Sequence, residues 1–364
     1  MGCKGVLVHI LSSNRWSGIE RYTLDICRSF IDEGWRVAAF TRDARGVDPL
    51  FREAGVELHH APLHGFFDPS SAVSMAKYMK TLPEGSVIFH AHHYRDIFTV
   101  LLAKKLARRK DIRVVSTRHS VRRGRDNRLF RRIYRNTDAQ IFVSETAQRR
   151  FLDTWHGRRL PFPADRMHVI FNSLYIESSE PLPEPERGPV TAMFHGPLIP
   201  GKGLEVLIDA MSLLKRTKIR LKIVGTGQPD YVDSLRRRAL TREVMDMIDW
   251  HKHTKHPLDI IGGCHFGVLP SVKEEAFGLA NLEYMASGRP HVTTANGAQK
   301  EYLTDGREAF LVPASDAGAL SDAMRHLASD RELRLRMGAA ALATFRDTLA
   351  WPRVLPRIKR AYGL

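Results

Sequence analysis

LPSVKEEAFGLANLEYMASGRPHVTTANG, residues 269–297, decides how the rest of the chain is read. It opens with a turn-like run, 270–275, followed by Ala276-Phe277-Gly278. Leu279, Leu282, Met285 and Ala286 then recur at helical spacing, Gly288 and Pro290 stop that helix, and His291–Thr294 reads as a short strand. A loop entering a helix leaves backbone N–H groups unpaired at the positive end of the dipole, a setting for a phosphate or a hydroxyl-rich ligand. Glu275 lies in the loop and Glu283 in the first turns of the helix, so both carboxylates can face one crevice. Carboxylates accept from hydroxyls and amides donate to oxygens, a pairing that suits a sugar. An ordinary acidic helix start accounts for two glutamates equally well.

As one pattern, Glu275-x7-Glu283 with Phe277-Gly278 between them, then Met285-Ala286-x-Gly288-x-Pro290, resembles the signature of the retaining GT-B glycosyltransferases of family 4. The resemblance implies an α/β chain of two Rossmann-like, doubly wound parallel-sheet domains facing a central cleft. It implies transfer of a hexose-type sugar from a nucleotide-diphosphate sugar, with the anomeric configuration kept by front-face attack of the acceptor hydroxyl. Glu275, with the amides of Phe277, Gly278 and Leu279, would orient the sugar, and Glu283 would take the ribose hydroxyls. That donor sugar is a substrate; no cofactor is expected. No Asp-x-Asp occurs in the sequence, so protein cations are expected in place of a metal at the diphosphate.

Composition agrees with a soluble two-domain protein: 364 residues, 43% hydrophobic and 26% charged, with no apolar run of membrane-span length. The first apolar segment, 5–11, reads as a strand and not as a signal peptide. Three separated cysteines, Cys3, Cys27 and Cys264, suggest reduced thiols of a cytoplasmic protein. The net charge of +16 is lopsided, with 30 Lys+Arg against 17 Asp+Glu in residues 1–176 and 26 against 23 thereafter. The first half is therefore fitted to an anionic partner.

Residues 5–11 form a buried strand that runs into a turn at Ser17-Gly18 and a helix bearing Ile19, Tyr22, Ile26 and Phe30 on one side. Ser17 and Glu20 have capping-box spacing. In the resembling family this loop lies under the donor diphosphate, which makes Gly18 a candidate donor-binding residue. Strand–helix alternation continues through 35–40, 56–59 and 87–92, the pattern of a doubly wound sheet whose ligands gather at strand carboxyl ends. His90, His92 and His93 sit at one such end. Without a carboxylate or thiol at ligand spacing, no metal site is expected there, and His93 reads as a satisfied turn histidine. Thr117-x-His119 follows the next strand, and the resemblance points His119 at the reacting centre. From Lys104 to Arg135 there are 14 Lys+Arg against Asp111 and Asp126. Within it Leu129, Phe130, Ile133 and Tyr134 form an apolar stripe flanked by Arg128, Arg131, Arg132 and Arg135. This reads as a basic amphipathic helix, either core-facing or peripheral at the inner face of the cytoplasmic membrane. Family members that act on lipid-linked acceptors favour the membrane use, and no pattern of a nucleic-acid-binding fold accompanies the basic run.

Residues 177–189 carry four prolines and four glutamates and read as a stiff, solvated linker. The expected domains are 1–176 and 190–350, with 351–364 returning to the first. The second opens with a strand, then His195-Gly196-Pro197 and Gly201-Lys202-Gly203 before a helix, which places Lys202 to hold a diphosphate as a point charge. The resembling family has an arginine where this chain has Pro197, so a phosphate-gripping fork is missing. Residues 245–250 are expected as a strand, Glu301 as a helix start and 320–350 as one amphipathic helical run. The expected activity is a metal-independent glycosyltransferase with a lipid-linked or lipopolysaccharide acceptor. A metal-free sugar-nucleotide epimerase and a non-catalytic donor-binding scaffold are the alternatives.

Overall fold

The computed structural model describes residues 4–42, 46–176, 180–252, 254 and 257–364, and divides them into two compact units, 1–173 with 352–364 and 174–351. In the first unit the elements run β1 (Val6–Ile10), α1 (Gly18–Asp32), β2 (Arg36–Thr41), α2 (Asp48–Glu53), β3 (Glu57–His60), α3 (Pro69–Thr81) and β4 (Val87–Ala91). They continue as α4 (Tyr94–Ala107), β5 (Arg113–Arg118), α5 (Arg128–Asn136), β6 (Ala139–Phe142), α6 (Glu145–Leu152) and β7 (Met167–Val169). The seven strands are parallel in the order β3-β2-β1-β4-β5-β6-β7. β1 and β4 are buried along their whole length, as apolar runs covered on both faces must be. Strand order reverses between these two strands, which is where a doubly wound sheet opens a crevice at its carboxyl edge.

The second unit runs β8 (Thr191–His195), α7 (Leu204–Ser212), β9 (Arg220–Val224), α8 (Pro229–Thr241), β10 (Ile248–His251) and α9 (Pro257–Ile261). It continues as β11 (Phe266–Leu269), α10 (Leu279–Ala286), β12 (His291–Thr294), β13 (Ala309–Val312), α11 (Ala317–Ser329) and α12 (Arg331–Thr344). Its six parallel strands are ordered β10-β9-β8-β11-β12-β13, with the reversal between β8 and β11. The final helix, α13 (Trp351–Tyr362), lies on the first unit. There Val354, Ile358 and Ala361 are fully buried, Tyr362 packs on Phe30, and Lys359 pairs with Glu33.

Four sequence expectations are corrected. The proline- and glutamate-rich stretch is no free linker where it is described. Within the second unit the Leu182 amide donates to the Ser287 carbonyl, Arg289 reaches the carbonyls of Leu182 and Pro183 at 2.9 and 2.6 Å, and the Glu184 carboxylate takes Arg334 at 2.6 Å. Glu177, Ser178 and Ser179 lie outside the described residues. The run 320–350 breaks at Asp330, whose side chain accepts from the Leu333 amide and caps a new helix. Glu301 ends a short 3-10 turn, 298–301, and starts no helix. Residues 245–247 are likewise a 3-10 turn, and the strand begins at Ile248. Of the cysteines, Cys27 and Cys264 are buried free thiols, and Cys3 lies outside the described residues.

Candidate active site

In the second unit two loops meet at the switch point. The loop after β8 carries Gly196, Lys202 and Gly203; the loop after β11 carries 270–278. Gly203 sits at φ +75° as the residue before α7, and a Cβ there would stand 1.8 Å from the Pro270 carbonyl oxygen. Only glycine allows both the left-handed backbone and the close approach. The amides of Val272 and Lys273 donate to the Gly201 carbonyl at 2.9 and 3.1 Å, and the Lys273 stem lies against Gly201. From below, the Asn296 amide holds the carbonyls of Ser271 and Val272 at 2.8 and 2.9 Å. This seam brings the Lys202 Nζ to 2.5 Å from the Glu275 Oε1, which also accepts from the Ser271 hydroxyl at 2.5 Å.

Gly278, at φ +91°, precedes α10, and no side chain caps that helix. Phe277 is buried and stacks on Tyr302, whose hydroxyl donates to the Phe277 carbonyl at 2.6 Å, so the turn is pinned from within the core. Leu279 opens the helix. One helical turn on, the buried Glu283 sets its Oε2 3.1 Å from the Nε2 of His195, the last residue of β8. Both glutamates therefore reach the carboxyl end of β8 and the loop after it, Glu283 at His195 and Glu275 at Lys202. An anion, a cation and two helix N-termini are thus gathered at one sheet edge, an arrangement that can bind a phosphate group and a polyhydroxylated ligand together.

The first unit gathers imidazoles at its own switch point. His9 of β1 pairs in register with His90 of β4, and His92 follows two residues on, so all three face the same side. His90 bonds the Tyr362 hydroxyl through Nδ1 at 2.6 Å and the Thr117 hydroxyl through Nε2 at 2.7 Å. His9 Nδ1 lies 2.9 Å from His92 Nε2, and His92 Nδ1 lies 3.2 Å from His119 Nε2. Burial lowers His9 and His119 to about 3 and takes His90 and His92 well below the ordinary range, so all four are neutral at physiological pH. His93, at the turn into α4, is lowered to about 4 by burial, and its Nε2 has no hydrogen-bond partner among the described residues. It is not the satisfied turn histidine expected from sequence. His9, His90 and His92 offer ligand atoms within 4.8 Å of one another, close enough to raise the question of a metal. Both nitrogens of His90 are already paired, and the facing nitrogens of His9 and His92 bond each other. The set reads as a hydrogen-bonded imidazole network. His9 went unnoticed in the sequence because a single histidine in an apolar strand looks like filler; its register against His90 is visible only in the sheet.

Gly18 begins α1. The Ser17 hydroxyl oxygen accepts from the Ile19 amide at 3.3 Å, and the Ser17 hydroxyl donates to the Glu20 carboxyl at 2.5 Å. Burial raises the Glu20 pKa. This helix start is therefore partly occupied by its own cap. α5 is amphipathic as expected, and of its two expected uses the core-facing one holds for the apolar stripe: Phe130, Ile133 and Tyr134 are buried in the unit's core, and of the stripe Leu129 is exposed. Tyr134 meets Phe151 and Trp155 edge-on, which uses the apolar face internally. Arg131 pairs with Asp126 at 2.6 Å and Arg135 donates to the Pro161 carbonyl at 2.7 Å, while Arg128 and Arg132 lie exposed on the outer side. Among the described residues no helix is long and apolar enough to cross a membrane.

Residues 16–177 match the sequence family described as Glycosyltransferase Family 4, and residues 177–344 match the one described as Glycosyl transferases group 1. A phosphatidyl-myo-inositol mannosyltransferase of Mycobacterium leprae is 30% identical over 165 residues, 45% of this chain and 43% of that protein. A lipopolysaccharide 1,2-N-acetylglucosaminetransferase of Salmonella typhimurium is 22% identical over 249 residues, 62% of each. The chain spans about half the length of the curated relatives it matches. The fold is also that of HepE from Anabaena, solved in complex with UDP and glucose. It covers 98% of this chain and 99% of its own, with a TM-score of 0.82 at 17% identity.

Proposed function

Because the chain belongs to glycosyltransferase family 4, with the GT-B fold, we propose that it transfers a hexose-type sugar from a nucleoside diphosphate to a lipid-linked or lipopolysaccharide acceptor, retaining configuration without a metal. The observation that carries this reading is the seam in the second unit, where Lys202 and Glu275 meet at 2.5 Å beside two glycine-started helices. The costly event in such a reaction is departure of the nucleoside diphosphate from an oxocarbenium-like centre. Charge developing on the leaving phosphate is stabilised by donors already in place, because they need no reorganisation during the step. The N-termini of α7 and α10 and the Lys202 ammonium fill that role. Glu275, held by Ser271 and Lys202, accepts from sugar hydroxyls, and Glu283, held against His195, accepts from the ribose. Pro197 supplies no cation, and Lys273, whose stem packs on Gly201, is the candidate to replace the missing fork at the diphosphate.

HepE binds UDP, which puts uridine donors first among those to test. The acceptor reading is supported by the names of the mannosyl- and N-acetylglucosaminyltransferase relatives and by the basic first unit. With the apolar face of α5 buried, membrane attraction at the cytoplasmic face rests on the arginines alone, as a salt-sensitive surface interaction. The test is incubation with a panel of UDP-, GDP- and ADP-sugars, with and without lipid-linked acceptors, reading nucleoside diphosphate release and the anomeric configuration of product. Acceptor-dependent release is expected. Release of an epimerised sugar nucleotide without acceptor, or binding with no turnover on any donor, would overturn the reading.

A further inference from the structure

His119 is held by other histidines, and the order of protons along them can be worked out from one threonine. The geometry points to His92 as the positioning residue that fixes His119 with its proton on Nε2, leaving Nδ1 as an acceptor for a substrate hydroxyl. This rests on the transferase reading, in which His119 serves the reacting sugar.

A neutral imidazole has one N–H and one lone pair, so a row of them can be ordered in only two directions. Thr23, on α1, breaks the tie. Its hydroxyl donates to the Ile19 carbonyl at 2.8 Å, so its oxygen presents lone pairs to His92 Nε2 at 3.2 Å. His92 Nε2 must therefore carry the proton, shared with His9 Nδ1 at 2.9 Å. The opposite order would either set two lone pairs against each other at Thr23 or take its hydroxyl proton away from the Ile19 carbonyl. Nδ1 of His92 can then only accept, and its partner at 3.2 Å is His119 Nε2, which donates. The cost falls on His9, whose buried Nε2–H has no hydrogen-bond partner among the described residues. Tyr22, one residue before Thr23, packs edge-on against both rings, with centroids 6.3 Å from His92 and 5.6 Å from His119. α1 thus supplies both the proton order and the wall. The second strand-end histidine, His90, is bonded to Tyr362 and Thr117 and serves to hold the Thr117–His119 segment.

Two side chains separate the halves of His92. Asparagine places an amide oxygen where Nδ1 stood and keeps the acceptor for His119. Glutamine reaches the Nε2 position beside Thr23 and His9 but leaves His119 without a partner. His92→Asn is expected to retain most of kcat, while His92→Gln lowers kcat roughly five- to tenfold, the net worth of one hydrogen bond. Donor KM should hardly change in either, since the donor seam lies in the second unit. The direct measurement uses wild-type protein with 15N-labelled histidine. A scalar coupling across the N–H···N bond should link His119 Nε2 to His92 Nδ1, with the His119 proton on Nε2, and His92→Gln should abolish it. A His119 proton on Nδ1, absence of that coupling, or equal loss of kcat in the two variants would overturn the proposal. Failure of the wild type to turn over any donor would strike the transferase reading instead, and the coupling would still decide the proton order.

Discussion

Gly203→Ala should weaken the second unit and its nucleotide site together, by an amount the seam defines. Two costs combine. At φ +75° an alanine carries the left-handed penalty of about 1–2 kcal/mol. Its Cβ would also stand 1.8 Å from the Pro270 oxygen, so the two loops must part by more than an ångström, and such overpacking adds roughly 1–3 kcal/mol. The total of about 2–5 kcal/mol is a large share of the ~5–15 kcal/mol that holds a domain folded. At ~2–4 °C per kcal/mol for a unit of this size, the calorimetric transition of residues 174–351 should fall by roughly 5–20 °C. Separation of the loops also draws Lys202 from Glu275, so titration calorimetry with UDP should show weaker binding. Gly306→Ala is the control: φ is +74° there and nothing lies within 4 Å of the added carbon, so only the backbone cost remains. Equal destabilisation by the two substitutions, or unchanged UDP affinity in Gly203→Ala, would refute the seam argument.

Glu275→Gln should abolish sugar transfer while the thermal transition stays near that of the wild type; normal turnover in the variant would remove Glu275 from the site. The first unit should lose stability on acidification. His9, His90, His92 and His119 are held neutral well below their unfolded pKa of about 6.5, so the unfolded chain binds more protons as pH falls. Each then removes about 1.4 kcal/mol per pH unit below pH ~6, and a first-unit transition that is flat between pH 7 and 5 would contradict this. Asp96 acts in the opposite sense, because burial raises its carboxyl to about 7 against the opposing pull of the Ser12 hydroxyl and the Arg95 charge. Its stabilising contribution is full at low pH and fades as pH rises through 7, so Asp96→Asn should raise the melting temperature at pH 8 and change it least at pH 5. Replacing Arg128, Arg131, Arg132 and Arg135 by Ser should weaken sedimentation with anionic liposomes, most at low salt; unchanged binding would end the membrane proposal.

The strands were readable because buried parallel strands leave continuous apolar runs, and 5–11 and 87–91 admit little else. The donor seam was half readable. Glu275, Gly278 and Glu283 announce themselves by spacing, but the pairing of Glu275 with Lys202 joins residues 73 positions apart and emerges only from the sheet order. The strap at 180–185 looks solvated in sequence, because its partners, Arg289 and Arg334, lie more than a hundred residues away. For α5 the sequence leaves the core and the membrane open as partners of the apolar stripe, because it shows that a helix is two-faced and not what lies against either face. His9 carried no local signal at all.

The first unit is assembled from two stretches of chain with the second unit lying between them in sequence. On the ribosome, its sheet is made well before the helix whose Tyr362 closes over His90. At ~5–20 residues per second, the intervening segment takes on the order of ten to forty seconds to synthesise. Throughout that interval the Tyr362 ring that packs on Phe30 is missing, and the nascent amino-terminal half carries an uncovered apolar surface. The carboxyl-terminal half, contiguous in sequence, is free to finish first, so birth order and folding order run in opposite directions along this polypeptide.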